Sequence, residues 1–152
     1  MNKILFALDY NPVSEKVAEQ GYALAKKLGA KVCLMHVMAD LAYYNMEYPT
    51  FMGFEGYGTG PDLNMVMELR DMAEEFLQSA ARHLNDPLVE TFLAEGDTPD
   101  AILQYANDWR ADLIVMGTHS HSTLEKLFLG TVASKVIEKT KVPVHLIPVG
   151  KK

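Results

Sequence analysis

The chain has 152 residues, of which 49% are hydrophobic and 22% are charged, and this predicts one globular domain with a substantial core. Its formal net charge of −6 argues against a general nucleic-acid or membrane-surface binder, because phosphate groups attract clusters of lysine and arginine. The single Cys33 rules out an intramolecular disulfide and is expected to be an inert core thiol.

The chain also lacks the signals of secretion and membrane insertion. No apolar run approaches the roughly 18 residues that a membrane span requires. The apolar run at the amino terminus is too short for a signal peptide and is interrupted by Asp9. We therefore expect a cytoplasmic protein with no membrane insertion.

The first 37 residues predict a β-α-β unit. Residues 4–8 form an apolar run typical of a buried strand, and Asn11 and Pro12 then signal a helix start. Apolar residues recur at helical spacing until Gly29, and a second strand follows over residues 31–37. Such a unit crosses over right-handed, so the two strands should be parallel neighbours.

Residues 39–64 interrupt this alternation and are rich in tyrosine, glycine and methionine. We interpret them as a flexible insert, because long loops in small domains are often functional. The alternative is a flap whose aromatic side chains seal the edge of the sheet. The methionines also offer a soft surface for a protein partner.

The rest of the chain continues the alternation of helices and strands. The predicted elements are a helix over 66–84, a strand over 88–93, a helix capped by Thr98, a strand over 113–116, a helix over 131–140 and a strand over 142–149. Five strands and four helices in this order predict an α/β fold. We expect an open, doubly wound, five-stranded parallel sheet with helices on both faces, strand order 3-2-1-4-5, in a single domain over residues 1–152.

The last predicted strand carries Pro143 and Pro148. Proline is confined to the edges or ends of sheets, so this strand should lie at an edge. An unpaired edge invites another chain, and a two-fold pairing through residues 142–149 would make a homodimer.

The most informative stretch runs from Gly117 to a second glycine, Gly130, which is followed at once by Thr131 and a helical pattern. Gly130 allows close approach of the backbone, and Thr131 is predicted to cap the helix. A helix start presents free N–H groups and a positive dipole end, which suit a phosphate. The alternative is that these glycines only end a strand and open a helix.

In doubly wound sheets the ligand lies outside the carboxyl ends of the strands, where the strand order reverses. Asp9 and Gly117 follow the two strands expected there. Asp9 would bind ribose hydroxyls or Mg²⁺, or alternatively serve as a turn acid that bonds nearby backbone. The backbone near Val37 would read the edge of a base.

The histidines and the search for catalytic motifs give little evidence for a metal site or an enzyme. His119 and His121 are weak evidence for zinc, and His119 is better placed for a phosphate or a ribose. We expect His36, His83 and His145 to be packed or solvated. The sequence has no nucleophile elbow, no phosphate-binding G-x-x-x-x-G-K loop and no CxxC pair, which predicts no hydrolysis or very slow hydrolysis.

These residues together resemble the universal stress protein family over essentially the whole chain. The resemblance lies in the first strand ending at Asp9, a second strand ending His-Val, a closing Val-Pro-Val strand, and a glycine signature between them. That signature is a glycine, two residues, a glycine, nine residues, then a glycine with serine or threonine. Here it reads Gly117, Ser120 and Gly130-Thr131, so Ser120 replaces the second glycine.

The resemblance implies an adenine nucleotide alpha-hydrolase-like fold and a cytoplasmic, homodimeric regulator of the stress response. It also implies bound ATP, or ADP or AMP, with Mg²⁺ as an option. Asp9 would hold the ribose or the metal, and the backbone at Ala7, Leu8 and Val37 would hold adenine. The phosphates and ribose would be surrounded by Gly117, Ser120, Gly130, Thr131, Val132 and Ala133, with Met116 and His119 completing the predicted site.

Two other functions remain open at this point. The first is a nucleotide-free interaction module that docks a transporter or an enzyme through residues 39–64. The second is a slow ATPase that acts as a timer.

Overall fold

The computed structural model describes residues 1–10, 12–38, 63–118 and 129–149. Within these ranges strands and helices alternate along the chain. The strands are β1 (Lys3–Ala7), β2 (Lys31–Met38), β3 (Glu90–Glu95), β4 (Leu113–Gly117) and β5 (Val144–Ile147). The helices are α1 (Ser14–Leu28), α2 (Leu63–His83), α3 (Thr98–Asp108) and α4 (Thr131–Lys139).

The five strands form one parallel sheet in the order β3-β2-β1-β4-β5, which confirms the predicted doubly wound fold. Leu5 of β1 lies opposite Cys33 of β2 on one side and Ile114 of β4 on the other. The strand order reverses between β1 and β4. The predicted edge position of the last strand is also confirmed.

Alternate residues of the central strands pack on opposite faces of the sheet. Ile4 and Phe6 belong to one apolar cluster, together with Leu77 of α2. Leu5 belongs to a second cluster, which includes Val136 of α4. The unbroken apolar run of β1 is therefore explained by helices on both faces of the sheet.

Cys33 is fully buried in the second cluster, as predicted. Burial raises the pKa of its thiol to about 11, although a hydrogen-bond contact with the Tyr105 hydroxyl partly opposes this shift.

Several element boundaries that we predicted from the sequence differ from those in the structure. The strand predicted over 88–93 is β3, which begins two residues later. The intervening residues form a turn in which Asp86 accepts hydrogen bonds from the N–H groups of Leu88 and Val89, and the Leu88 side chain is 82% exposed. The predicted Thr98 cap is also wrong, because the Asp97 side chain accepts from the Asp100 N–H instead.

Helix α2 begins at Leu63, so the last two residues of the predicted insert are helical. The remainder of that insert, residues 39–62, lies outside the described residues. Strand β5 is shorter than predicted, since it starts after Pro143 and ends before Pro148. In the described parts of the chain, no helix is both long enough and apolar enough to cross a membrane.

The single tryptophan, Trp109, lies at the end of the sheet where β1 begins. Its carbonyl accepts from the Lys3 ammonium, which also lies 5.0 Å from the centre of the indole ring. Its indole N–H donates to Glu90 at 3.2 Å, and its ring lies nearly parallel to Tyr105. The pKa of the nearby Asp112 carboxyl is lowered, because it accepts from the backbone N–H groups of residues 2 and 3.

Candidate functional site

A cavity of about 330 Å³ opens at the carboxyl ends of β1 and β4, where the strand order reverses. Its volume lies within the range of roughly 300–1,000 Å³ that small-molecule sites occupy. Every predicted site residue that the structure describes lines this cavity. These residues are Ala7, Leu8, Asp9, Val37, Met116, Gly117, Gly130, Thr131, Val132 and Ala133. The other two, His119 and Ser120, lie outside the described residues.

The cavity also has walls that sequence reasoning missed. The missed residues are Val13, Ser14, Val17, Met35, His36, Thr98, Ile102, Thr118 and Val149. Several of them belong to the first turns of α1 and α3, which start at the same edge of the sheet as α4. These helix residues could have been predicted from the sequence, because each lies in the first or second turn of a helix that follows a strand.

Helix α4 presents an open amino terminus to the cavity. Its cap residue is Gly130, with φ −57° and ψ 152°, and because glycine has no side chain the cap residue itself accepts no side-chain hydrogen bond from the first turn. The prediction that Thr131 caps the helix is therefore wrong, because Thr131 is already the first helical residue. The first turn carries no acidic residue, so no side chain of that turn neutralises the positive end of the helix dipole.

The start of α3 lines the same cavity but differs in one respect. The Asp97 carboxylate caps α3, and Asp100 adds a second acid to its first turn. These negative charges already occupy the positive end of that helix. Of these two helix starts, α4 is therefore the one that suits an anion.

Thr118 fixes the position of Gly130. Its carbonyl accepts from the Gly130 N–H at 2.7 Å, and its own N–H donates to the carbonyl of Ile147 at 3.1 Å. Its hydroxyl accepts from the Val149 N–H at 3.3 Å. The start of α4 is thereby held against the ends of β4 and β5.

Gly117 lies in a tightly packed part of the site. A Cβ atom at this position would lie 3.2 Å from a methyl group of Val17 and 3.3 Å from one of Val149. Both distances are shorter than ordinary van der Waals contact. Gly117 therefore lets α1 and the segment after β5 close over the end of β4.

The backbone at the end of β2 faces the cavity. Met35 accepts from the Leu8 N–H on the β1 side, and Met38 accepts from the Gly96 N–H on the β3 side. Backbone direction alternates along a strand, so Val37 faces the β1 side, where β1 has already ended. Within the described residues the backbone of Val37 on this side has no hydrogen-bond partner and is available to a ligand, whereas the Leu8 N–H is already bonded to Met35.

Asp9 lies at the rim of the cavity with an exposed side chain. Within the described residues its carboxylate makes no hydrogen bond or ion pair, and only its backbone carbonyl is bonded, by the Ser14 hydroxyl. In the same part of the chain, no group of three or more histidine, cysteine, aspartate or glutamate side chains could hold a metal ion.

A parallel sheet wound in both directions from a central switch point, with a cavity at that point, defines the α/β class that binds ligands outside the carboxyl ends of its strands. Residues 1–148 match the model of the universal stress protein family. The chain belongs to this family, and its fold is the adenine nucleotide alpha-hydrolase-like fold.

Individual relatives match over nearly the whole chain. Universal stress protein C of Salmonella typhimurium is 28% identical over 145 residues, which cover 95% of this chain and 94% of that protein. A universal stress protein from Archaeoglobus fulgidus in complex with dAMP superposes with a TM-score of 0.62 at 22% identity, covering 97% of this chain and 98% of that chain. A universal stress protein in complex with cAMP gives a TM-score of 0.68 at 17% identity, covering 97% and 96%.

Proposed function

We propose that this protein binds an adenine nucleotide in the cavity at the switch point and acts as a cytoplasmic regulator of the stress response. The observation that carries the proposal is the gathering of all the described predicted residues around one cavity, beside a helix start whose cap residue is a glycine. Two structural relatives that were solved with dAMP and with cAMP support the choice of an adenine nucleotide.

Each part of the nucleotide has a matching part of the cavity. The phosphate lies at the start of α4, where the N–H groups of Thr131, Val132 and Ala133 face an anion without a competing acid in the same turn. The ribose lies beside Asp9, whose carboxylate accepts from hydroxyl groups. The base lies against the end of β2, where the Val37 backbone offers one donor and one acceptor.

The lining also favours binding without rapid hydrolysis. Among the described residues that line the cavity there is no lysine or arginine, and the titratable side chains are Asp9 and His36. Phosphoryl transfer is accelerated mainly by cationic groups and metal ions that stabilise the developing charge. We therefore expect no turnover or very slow turnover of ATP.

Ligand identification tests the proposal directly. The protein is purified without added nucleotide and denatured by heat, and the supernatant is analysed by mass spectrometry for AMP, ADP and ATP. Titration calorimetry with each nucleotide, with and without Mg²⁺, then gives the affinities. Gly130→Val should abolish binding and leave the fold intact, because a branched side chain fills the approach to the helix start.

Ile137→Ala provides a matched control on the same helix. Ile137 is 41% exposed and does not line the cavity, so the substitution should leave nucleotide affinity unchanged. A purified protein that carries no nucleotide and binds none at millimolar concentration would refute the proposal.

The competing function is a nucleotide-free module that regulates a transporter or an enzyme. Met65, Met67 and Met72 favour it, because these three side chains of α2 are exposed and follow directly on residues 39–62. Exposed methionine adapts its shape to different partners. This function would gain support if the purified protein binds no nucleotide and the Gly130→Val variant still binds and regulates the partner.

We also propose that two chains pair through residues 142–149. Strand β5 lies at the sheet edge. On its inner side, the Ile147 carbonyl accepts a hydrogen bond from the Thr118 N–H, and the Pro143 carbonyl accepts one from the Ile114 N–H. The backbone of Val144 and Leu146 therefore faces outward. A second copy would cover this edge.

A further inference from the structure

The rim of the cavity contains one exposed acid whose backbone is held on both sides. The Asp9 carboxylate has no bonded partner within the described residues, yet the Asp9 carbonyl is bonded by a side chain of α1, and the residues before and after Asp9 contact side chains of β2 and α2. A protein gains little stability from holding an exposed, unpaired acid in one place. Ligand-binding groups, in contrast, gain affinity when they are held in position before the ligand arrives.

His36 holds the residue before Asp9. Its Nδ1 lies 2.8 Å from the carbonyl oxygen of Leu8. A carbonyl oxygen only accepts, so Nδ1 carries the proton and donates. The Leu8 N–H donates to Met35 at 2.8 Å, and the peptide groups on both sides of Leu8 are thereby tied to β2.

Aromatic contacts hold the His36 ring and the residue after Asp9. The Phe76 ring on α2 lies edge-on to the imidazole with centroids 5.4 Å apart, and it lies 5.1 Å from the Tyr10 ring. Tyr10 in turn lies 6.3 Å from the imidazole. Tyr10 is 59% exposed, so these contacts orient its ring more than they bury it.

Ser14 holds Asp9 itself. Its hydroxyl donates to the Asp9 carbonyl, and Ser14 is only 6% exposed although its side chain is polar. The loop between β1 and α1 is thus attached to β2 through His36 and to the first turn of α1 through Ser14.

We propose that His36 is a positioning residue, which, with Ser14, holds the Asp9 carboxylate in place to accept hydrogen bonds from the ribose hydroxyls of the nucleotide. The inference rests on the proposed function, since it assigns residues to the ribose part of the same site. It assigns His36 a role that its place in an apolar strand did not suggest. His36 acts through the Leu8 carbonyl and through Tyr10. It does not contact the ribose, and it affects ribose binding only by positioning Asp9.

The experiment compares AMP with its 2′,3′-dideoxy analogue by titration calorimetry in the wild type and in two variants. His36→Leu removes the donor and keeps a side chain of similar bulk. His36→Asn keeps an N–H donor close to the Nδ1 position. We expect His36→Leu to weaken AMP binding by about 3- to 10-fold, the worth of one net hydrogen bond, and to leave the dideoxy analogue within about 2-fold of the wild type. His36→Asn should restore most of the AMP affinity.

Asp9→Ala completes a double-mutant cycle. If His36 acts through Asp9, adding His36→Leu to Asp9→Ala should cause no further loss of AMP affinity. Should His36→Leu fail to fold, Ser14→Ala provides the second route to the same comparison, with the same selective loss of AMP binding expected.

The outcomes are separable. A wild type that binds neither ligand refutes the proposed function itself. A wild type that binds AMP while His36→Leu weakens both ligands equally, or weakens neither, overturns the positioning role and leaves nucleotide binding intact. A further loss in the Asp9→Ala background also overturns it.

Discussion

Replacing Gly130 by aspartate should stabilise the protein and remove nucleotide binding at the same time. Gly130 is the cap of α4, and its φ of −57° and ψ of 152° are the extended values that aspartate adopts as a helix cap. The new carboxylate would accept from an N–H group of the first turn, which the glycine now at the cap position cannot do. Cap and dipole interactions together should raise the free energy of unfolding by about 0.5–1 kcal/mol.

The same carboxylate occupies the place that we assign to the phosphate. The nucleotide would lose one charge-assisted hydrogen bond, worth about 1.5–3 kcal/mol. It would also meet a like charge at about 5 Å, which costs about 1–3 kcal/mol at effective dielectric constants between those of water and a protein surface. The sum corresponds to a loss of affinity of about 10²- to 10⁴-fold.

Two measurements on one preparation test this reasoning. Urea unfolding gives the change in stability, and titration calorimetry with AMP and ATP gives the change in affinity. Gly130→Ser is the matched control, because it adds a neutral cap that competes for the same N–H group without charge repulsion. It should cost about tenfold or less in affinity. A folded Gly130→Asp variant that binds nucleotide as tightly as the wild type would show that the phosphate does not lie at α4.

Other features of the structure give further predictions. A methyl group at Gly21 would lie 2.8 Å from the Phe6 ring and 2.9 Å from Val115, so Gly21→Ala should destabilise the protein by about 1–2 kcal/mol in urea unfolding, even though alanine favours a helix. No loss of stability would mean that α1 shifts freely on the sheet. Burial raises the pKa of Cys33 to about 11, so at pH 8 about one thiol in a thousand is ionised, and native Cys33 should react with a disulfide reagent at least about 100-fold more slowly than the unfolded chain. Equal rates would contradict the burial. Light scattering should give the mass of two chains if residues 142–149 pair, whereas a monomer at high micromolar concentration would refute the dimer.

The fold could be predicted from the sequence because hydrophobic patterning and loop signals agree along most of the chain. The apolar runs of β1 and β4 indicate strands buried on both faces, and this is what the two apolar clusters show. Gly29 marks the end of α1 as predicted, with a φ of 64° that favours glycine. Patterns of this kind depend on local spacing, which a sequence displays directly.

Boundaries and caps were predicted less well because several side chains compete for the same role. Asp97 and Thr98 are both good caps, and the sequence does not show which of them will lie where the α3 backbone turns. The sequence predicts that a strand starts at Leu88, yet the Leu88 N–H donates to the Asp86 carboxylate and Leu88 lies in the preceding turn. The contact of His36 with Leu8 spans 28 positions, so no local pattern could reveal it.

The surroundings of Trp109 have a practical consequence for these experiments. The indole lies beside Lys3, the first residue of β1, and the cavity opens where that strand ends, about 13 Å away at the usual rise per residue. Emission from Trp109, excited selectively over tyrosine, should therefore stay constant during nucleotide titration and change when the chain unfolds. In one sample, calorimetry can then measure nucleotide binding and tryptophan emission can measure whether the protein stays folded, because the two signals do not affect each other.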